Sequence, residues 1–336
     1  MREPWNTLLA RSAATATTAL ATPDEMEMAL SDSGVICPLP SLGMLHVAGD
    51  DAVAFLQNQL SQDVAGLDAS RSTLAAWCNA KGRTRAVFRV VPSDTGLILL
   101  ADAELLEAIR PTLQMFILRS QVALTDLASD EGALGMAGPA AKRLLTEAVG
   151  SLPDHPGGVV RAGDFHVVAL PGGMAMRYLV IAPTDQIAAV WGRYRDALTE
   201  GNEGFWHLQA IRAGLPDLDR RVSESIIPTM LNLEPLGGIS YEKGCYPGQE
   251  VVARMHYRGQ LKRRLYHAAV AGDPPAAGTA VEDTEGNEAG VVVNAAPTSG
   301  GGSELLAVLR IEKADSDLRV DTRSIQLLDL PYPPPH

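Results

Sequence analysis

The order helix, strand, strand, helix occurs twice before residue 200, and this repeat constrains the fold more than any other feature. In the first copy, Asp50 is expected to cap a helix whose apolar residues recur at helical spacing from Val53. In the second copy, the first helix is expected to begin at Pro139. The strand candidates of the two copies are residues 85–91, 96–101, 165–170 and 177–182. The repeat predicts an α+β fold in which two related units pack side by side.

The chain changes character after residue 216. Residues 217–260 have the composition of a long loop, and a loop of that length in a compact protein is usually functional. Short strand candidates then follow, separated by turns rich in Gly, Pro and Asp, at residues 264–270, 288–294, 305–311 and 324–328. They predict a small antiparallel barrel. The predicted organisation is a disordered tail (1–32), two α+β units that can be discontinuous (33–127 and 128–260) and the barrel (261–330).

Charge and cysteine content exclude several classes of protein. The 336 residues carry a formal net charge of −12, which argues against general binding to nucleic acid or anionic membranes. No apolar run is long enough to span a membrane. Three widely spaced cysteines, Cys37, Cys78 and Cys245, indicate a reducing compartment, and we expect the cytoplasm. No His/Cys cluster has the spacing of a zinc or iron–sulfur site, so no metal is expected within the chain.

The segment 241–254, Y-E-K-G-C-Y-P-G-Q-E-V-V-A-R, is the most informative stretch of the chain. Gly244 and Gly248 permit backbone conformations that other residues avoid, and they place Cys245 in a tight loop. The cations Lys243 and Arg254 are close in sequence, and a cation beside a thiol favours the thiolate. The pattern predicts an exposed, reactive thiol. The alternative is a buried cysteine that only fills a turn.

Residues 243–250, K-G-C-Y-P-G-Q-E, resemble the signature of the YgfZ family. Residues 55–63, 79–83 and 211–238 are similar to the same family. The resemblance implies the fold of the T-protein (aminomethyltransferase) of the glycine cleavage system, three domains in a ring around a central folate pocket. It also implies binding of tetrahydrofolate or a derivative, and a role in assembly or repair of iron–sulfur proteins, with client proteins or assembly factors as partners.

The resemblance further implies which residues form the site. Cys245 is expected to be the essential group. Expected folate contacts are Asn58, Gln59, Asn79, Lys81, Arg83, Lys243, Tyr246, Gln249, Glu250 and Arg254. The three tryptophans at positions 77, 191 and 206 are expected to be core residues.

One departure from the T-protein bears on the chemistry. In that enzyme a catalytic aspartate follows the Asn-x-Lys-Gly-like turn, whereas residues 82–91 here contain no carboxylate. Aminomethyl transfer needs an acid–base group near the reacting nitrogen, so this absence argues against T-protein chemistry unless another segment supplies a carboxylate. A folate-dependent one-carbon transferase remains the alternative. From the residues alone, a cysteine hydrolase that pairs Cys245 with His256 is a third hypothesis.

Overall fold

A computed structural model describes residues 21–333. The α-helices are α1 (Pro23–Asp32), α2 (Ala52–Gln57), α3 (Ala103–Met115), α4 (Pro139–Val149), α5 (Thr184–Tyr194), α6 (Glu203–Arg212) and α7 (Gln249–Arg258). The strands are β1 (Val35–Pro38), β2 (Leu42–Ala48), β3 (Thr73–Cys78), β4 (Thr84–Pro92), β5 (Gly96–Asp102), β6 (Ala123–Asp126), β7 (Glu131–Ala137), β8 (Val159–Ala162), β9 (Phe165–Leu170), β10 (Arg177–Pro183), β11 (Thr199–Glu200), β12 (Arg263–Ala271), β13 (Ala280–Asp283), β14 (Glu288–Pro297), β15 (Gly302–Arg310), β16 (Leu318–Val320) and β17 (Arg323–Leu328). Short 3₁₀ helices lie at Pro228–Leu231 and Ile311–Lys313. Within residues 21–333, no helix is both long and apolar enough to span a membrane.

The first sheet has the strand order β3-β4-β5-β2-β6, and its neighbouring strands are antiparallel. Strands β4 and β5 confirm the first predicted strand pair. Helix α3 follows directly, because the carboxylate of Asp102 accepts a hydrogen bond from the backbone N–H of Leu105 and so caps the helix.

The second sheet has the strand order β11-β1-β7-β10-β9-β8. Strands β9 and β10 confirm the second predicted pair, and α4 begins at Pro139 as predicted. Strand β1 lies between β7 and β11, where Val35 and Ile36 are buried. Residues 35–38 therefore belong to the second sheet, although the predicted boundary assigns them to the first unit.

The C-terminal strands form a closed barrel in the order β12-β15-β14-β13-β16-β17, and β17 pairs with β12 to complete it. The predicted antiparallel barrel is confirmed. Strands β13 and β16 were not predicted from the sequence. They have only 4 and 3 residues, which is too short for an alternating pattern to be recognised.

The two sheets face each other across a shared apolar core. Met44 and Leu100 of the first sheet pack in the same buried cluster as Leu179 and Ile181 of the second. Helix α1 closes one side of this core with Met26. The predicted disordered tail is therefore wrong for residues 23–32, because their apolar side chains cover the core. Residues 1–20 lie outside the described part of the chain.

Two other expectations require correction. Helix α2 is preceded by Asp51 rather than Asp50 and ends at Gln57, because the chain then turns to form a bridge between Leu60 and Trp77 of β3. The predicted loop 217–260 contains helix α7, whose short amphipathic pattern is hidden among the glycines and prolines around it.

Glu304 of β15 connects the barrel to the rest of the molecule. It accepts hydrogen bonds from His267 of β12 at 2.8 Å and from Arg212 of α6 at 2.8–3.1 Å. Arg212 also forms an ion pair with Glu27 of α1 at 3.0 Å. Burial by itself would raise the pKa of Glu304, but the hydrogen bonds from His267 and Arg212 outweigh burial and lower the pKa to about 2.

This network predicts a pH-dependent contribution to stability. Because the folded-state pKa of Glu304 lies below the unfolded value of 4.5, its contribution is complete above about pH 5 and is lost as the pH falls towards 2. The pKa difference sets an upper bound of roughly 3 kcal/mol on this contribution, because solvent screens part of the interaction. In urea unfolding at pH 7, the free energy of unfolding of Glu304→Gln should be well below that of the wild type. The difference between the two proteins should decrease as the pH falls from 5 to 2. Glu282→Gln, at an exposed position, is the control. A stability difference between Glu304→Gln and the wild type that does not change with pH would contradict the lowered pKa of Glu304.

Candidate functional site

A cavity lies between the two sheets and helix α6. Its inner part, about 130 Å³, adjoins an outer cleft of about 560 Å³, and the two share Leu74, Arg89 and Leu215 as lining residues. The volume of the cleft is in the range of small-molecule binding sites. The outer cleft opens between residues 62–73, residues 156–157 and residues 235–237, and Arg71 lies at this opening.

The inner cavity carries carboxylates at one end. Asp217, Asp102 and Glu203 line it together with His207, whose Nδ1 lies 3.7 Å from Oδ2 of Asp217. Burial raises the pKa of Asp217, His207 opposes the shift, and the carboxylates of Asp102 and Glu203 add to it. Glu203 is also held by Ser41, whose N–H and hydroxyl both donate to Oε1, at 2.9 and 2.5 Å. Residues 82–91 contain no carboxylate, but Asp102, Glu203 and Asp217 from other segments bring carboxylates into the cavity.

Two arginines line the same cavity. Burial lowers the pKa of Arg89 to about 10, and burial together with the nearby charge of Arg89 lowers that of Arg177 to about 9. Arg177 donates to the carbonyl oxygens of Pro171 at 3.0 Å and Trp206 at 2.8 Å. Neither guanidinium forms an ion pair with a described carboxylate. Asp217 favours the charged form of Arg177 without forming a direct ion pair, so an anionic or electron-rich ligand in direct contact would stabilise both guanidinium groups further.

Trp206 also lines this cavity, with the guanidinium of Arg177 4.2 Å from its ring centroid. Trp77 and Trp191 are core residues as predicted, and Trp206 packs against the core between the sheets while it also lines the cavity. The ring of Trp206 also packs against Gly135, where a Cβ would lie 2.4 Å from the indole. Glycine at position 135 therefore makes room for the indole beside the cavity.

The cysteine loop lies on the surface between the first sheet and α7. Cys245 is exposed, as predicted, whereas Cys37 and Cys78 are buried. Burial raises the pKa of Cys78 to about 12, which keeps it a thiol at neutral pH. The hypothesis of a buried cysteine at position 245 is therefore wrong.

Two glycines bring this loop against the turn that follows β3. Gly248 has φ +79°, and a Cβ there would lie 2.5 Å from the carbonyl oxygen of Asn79 and 2.6 Å from Cα of Gly82. Gly82 has φ +71°, and a Cβ there would lie 2.8 Å from Cβ of Val251 in α7. Both positions thus need glycine for its conformation and for the close approach of the two backbones.

Lys243 fixes the other side of the loop. Its Nζ donates to the carbonyl oxygens of Gln57 at 2.5 Å, Leu60 at 2.6 Å and Gln62 at 3.2 Å, at the end of α2. Burial lowers the pKa of Lys243 to about 8, while three carbonyl acceptors favour the ammonium form, which has three N–H donors. The cation anchors the loop rather than pairing with the thiol, which differs from the expectation that it activates Cys245.

His256 interacts with Glu234 and Tyr241 rather than with Cys245. Its Nδ1 lies 2.9 Å from Oε1 of Glu234, and its ring stacks on Tyr241 with 3.9 Å between centroids. Tyr241 donates its hydroxyl to the other oxygen of Glu234 at 3.0 Å. In the described part of the chain, no hydrogen bond joins His256 to Cys245, so the geometry of a cysteine hydrolase is not present.

The ten expected folate contacts surround the cysteine loop, and none of them lines the inner cavity or its outer cleft. Gln59 is buried and accepts a hydrogen bond from the indole of Trp77, while Asn79 holds its own turn by accepting from the N–H groups of Lys81 and Arg83. Tyr246 is buried beside Cys78. The exposed members of the set are Asn58, Lys81, Arg83, Glu250 and Arg254, and Gln249 is half-buried. The cavity and the cysteine loop are therefore two different regions of the molecule. The sequence motif marks the cysteine loop but gives no indication of the cavity.

The two glycines that flank Cys245 provide a matched test of the loop. Gly248→Ala should lower the free energy of unfolding by about 1–3 kcal/mol through its positive φ, with the backbone overlap adding to this. Gly244→Ala should have little effect, because a Cβ there meets no atom within 4 Å. Chemical denaturation of both variants measures the difference. Equal stability of the two variants would contradict the tight packing of this turn.

Comparisons with known proteins agree with this architecture. The family model for the CAF17 C-terminal beta-barrel domain matches residues 262–331. The aminomethyltransferase T of the glycine cleavage system from Bartonella henselae has a similar structure, with a TM-score of 0.74 at 16% identity over 92% of this chain and 89% of that chain. At that identity the likeness shows the fold alone, and it confirms the predicted T-protein-like fold.

Curated relatives are similar over most of the sequence. The protein from Colwellia psychrerythraea, named tRNA-modifying protein YgfZ, is 33% identical over 68% of this chain and 69% of its own length. A protein of the same name from Yersinia enterocolitica is 34% identical in an alignment that covers 93% of this chain and 97% of the relative. The chain therefore belongs to the YgfZ family.

Proposed function

We propose that this chain binds a reduced folate, tetrahydrofolate or a derivative, in the central cavity and supports the assembly or repair of iron–sulfur enzymes through Cys245. The observation that carries the folate proposal is the pair of arginines, Arg89 and Arg177, that line the cavity without a carboxylate partner. A folate supplies anionic carboxylates at one end and a flat, hydrogen-bonding ring at the other. The arginines of the cavity can pair with the folate carboxylates, and the carboxylates and indole of the cavity can contact the folate ring.

The charge distribution suggests the orientation of the ligand. A reduced pterin is rich in N–H donors, and Asp217 and Glu203 at the inner end are acceptors. Trp206 offers an aromatic surface beside them. The benzoyl-glutamate part would extend through the outer cleft past Arg89 towards Arg71, where its carboxylates meet cations.

Cys245 has a separate part in the proposal. The thiol is exposed on a loop that is fixed on both sides, so a client protein or an assembly factor can reach it without entering the cavity. The relatives are named for tRNA modification, and we include iron–sulfur enzymes that act on tRNA among the proposed clients. Three free cysteines fit the reducing cytoplasm that we propose as the location.

A folate-dependent one-carbon transferase is the second candidate, and Asp217 is the observation that favours it. Its raised pKa suits a general acid or base, and it lies in the cavity where the folate is proposed to bind. Formation of methylenetetrahydrofolate in a reconstituted glycine cleavage reaction, lost in Asp217→Asn, would favour this candidate over the first.

The folate proposal predicts a ligand-dependent melting temperature. Tetrahydrofolate at about a hundred times its dissociation constant should stabilise the fold by roughly 2.7 kcal/mol. Arg89→Met should abolish the shift with little effect on the stability of the ligand-free protein, because it removes a buried charge that forms no ion pair with a described carboxylate and only a long hydrogen bond, 3.5 Å, to the hydroxyl of Ser72. Arg143→Met, on the exposed face of α4, is the control and should keep the full shift. No shift in the wild type at millimolar tetrahydrofolate would contradict the proposal.

A further inference from the structure

The outer face of α7 has features that neither the folate cavity nor the thiol explains. Arg254 and Tyr257 are three residues apart in the helix and therefore lie on one side of it, one turn apart. Tyr257 is 67% exposed, which is unusual for a large aromatic side chain. We use the name α7 face for Arg254 and Tyr257 together with Lys262, which follows the end of the helix by four residues.

The aromatic part of the α7 face is fixed in place. The ring of Tyr257 lies edge-on to His256, 4.7 Å between centroids, and to Tyr241, 6.0 Å between centroids. His256 and Tyr241 are stacked on each other and both contact the carboxylate of Glu234. The ring of Tyr257 thus packs against the rings of His256 and Tyr241, and the carboxylate of Glu234 holds both of these in place. A rigid, exposed ring loses little conformational entropy when a second ring stacks on it.

The charge of the α7 face is opposite to that of the whole chain. Residues 254–264 contain five Arg and Lys residues and no acid, although the formal net charge is −12. Arg254 and Lys262 are exposed, and their side chains form no hydrogen bond or ion pair with any described residue. Lys81 is also exposed, in the turn at Gly82 that packs against Val251 of α7. Cations without partners on an acidic protein are suited to an anionic partner.

We propose that the α7 face binds an unpaired segment of RNA. A base stacks on the exposed ring of Tyr257, and the flanking phosphates contact Arg254 and Lys262. Single-stranded nucleic acid is recognised by this combination of aromatic stacking and cations, and unpaired RNA loops present their bases for it. An acidic protein segment would use the cations but would leave the ring without a role. The acidic remainder of the surface limits binding to a short segment, which is consistent with the absence of general nucleic-acid binding expected from the net charge.

Fluorescence anisotropy with a labelled, unstructured RNA of about twelve nucleotides tests the proposal. With two or three phosphates contacted, the logarithm of the affinity should fall with the logarithm of the salt concentration with a slope between about −1.4 and about −2. Arg254→Gln combined with Lys262→Gln should reduce this slope towards zero. Tyr257→Ala should weaken binding at least fivefold and leave the slope unchanged, because stacking does not release counterions. Arg143→Gln with Arg319→Gln, two exposed cations elsewhere, should bind as the wild type does.

Three results would overturn the proposal. The first is no binding at 50 mM salt with the wild type. The second is unchanged affinity in Tyr257→Ala together with full competition by a polyglutamate peptide, which would show that the face recognises negative charge alone and fits an acidic protein. The third is a salt dependence that Arg254→Gln combined with Lys262→Gln leaves unchanged, which would show that these two cations do not contact the phosphates. The melting temperature of the ligand-free protein is measured for every variant, so that loss of folding is distinguished from loss of RNA binding whether or not the protein binds folate.

Discussion

The close approach of two backbones at Gly82 and Gly248 determines how this molecule presents the exposed thiol of Cys245. Each glycine has a positive φ, and each would overlap with the opposite segment if it carried a Cβ. The contact joins the turn after β3 to the start of α7, and the cysteine loop runs between that contact and the anchor at Lys243. Cys245 is held outwards because its backbone is fixed on both sides, while Tyr246 next to it is buried against the first sheet.

The cysteine loop and the central cavity are separate but share a segment of chain. Lys243 binds the carbonyl oxygen of Gln62, and Gln62 also lines the outer cleft of the cavity. The side chain of Gln62 donates to the carbonyl oxygen of Gly237 on the opposite side of that cleft. A ligand that orders the cleft would therefore act on the same residues that anchor the cysteine loop. This shared segment gives a physical route by which folate binding and the thiol can belong to one function.

The sequence predicts local features better than it predicts the cavity. The strand pairs, the start of α4 at Pro139 and the exposure of Cys245 depend on nearby residues, and all three agree with the structure. The cavity is built from β4, β10 and α6, which are distant in sequence, and Arg89 and Arg177 give no local signal that they meet there. The expected folate contacts lie around the cysteine motif, because the motif is the segment in which the sequence resembles the family most specifically. Helix α7 was missed for a related reason, since its flanking Gly and Pro residues have the composition of a loop.

The central claim is that Cys245 acts chemically and does not merely support the fold. Cys245→Ala and Cys78→Ala distinguish the two roles, measured by the activity of an iron–sulfur enzyme in cells that lack the native protein and by thermal melting of the purified variants. Because Cys245 is exposed, Cys245→Ala should abolish the support of the enzyme and leave the melting temperature unchanged. Cys78→Ala should lower the melting temperature through a buried cavity and retain support in cells. Full activity of Cys245→Ala at normal protein levels would contradict the claim.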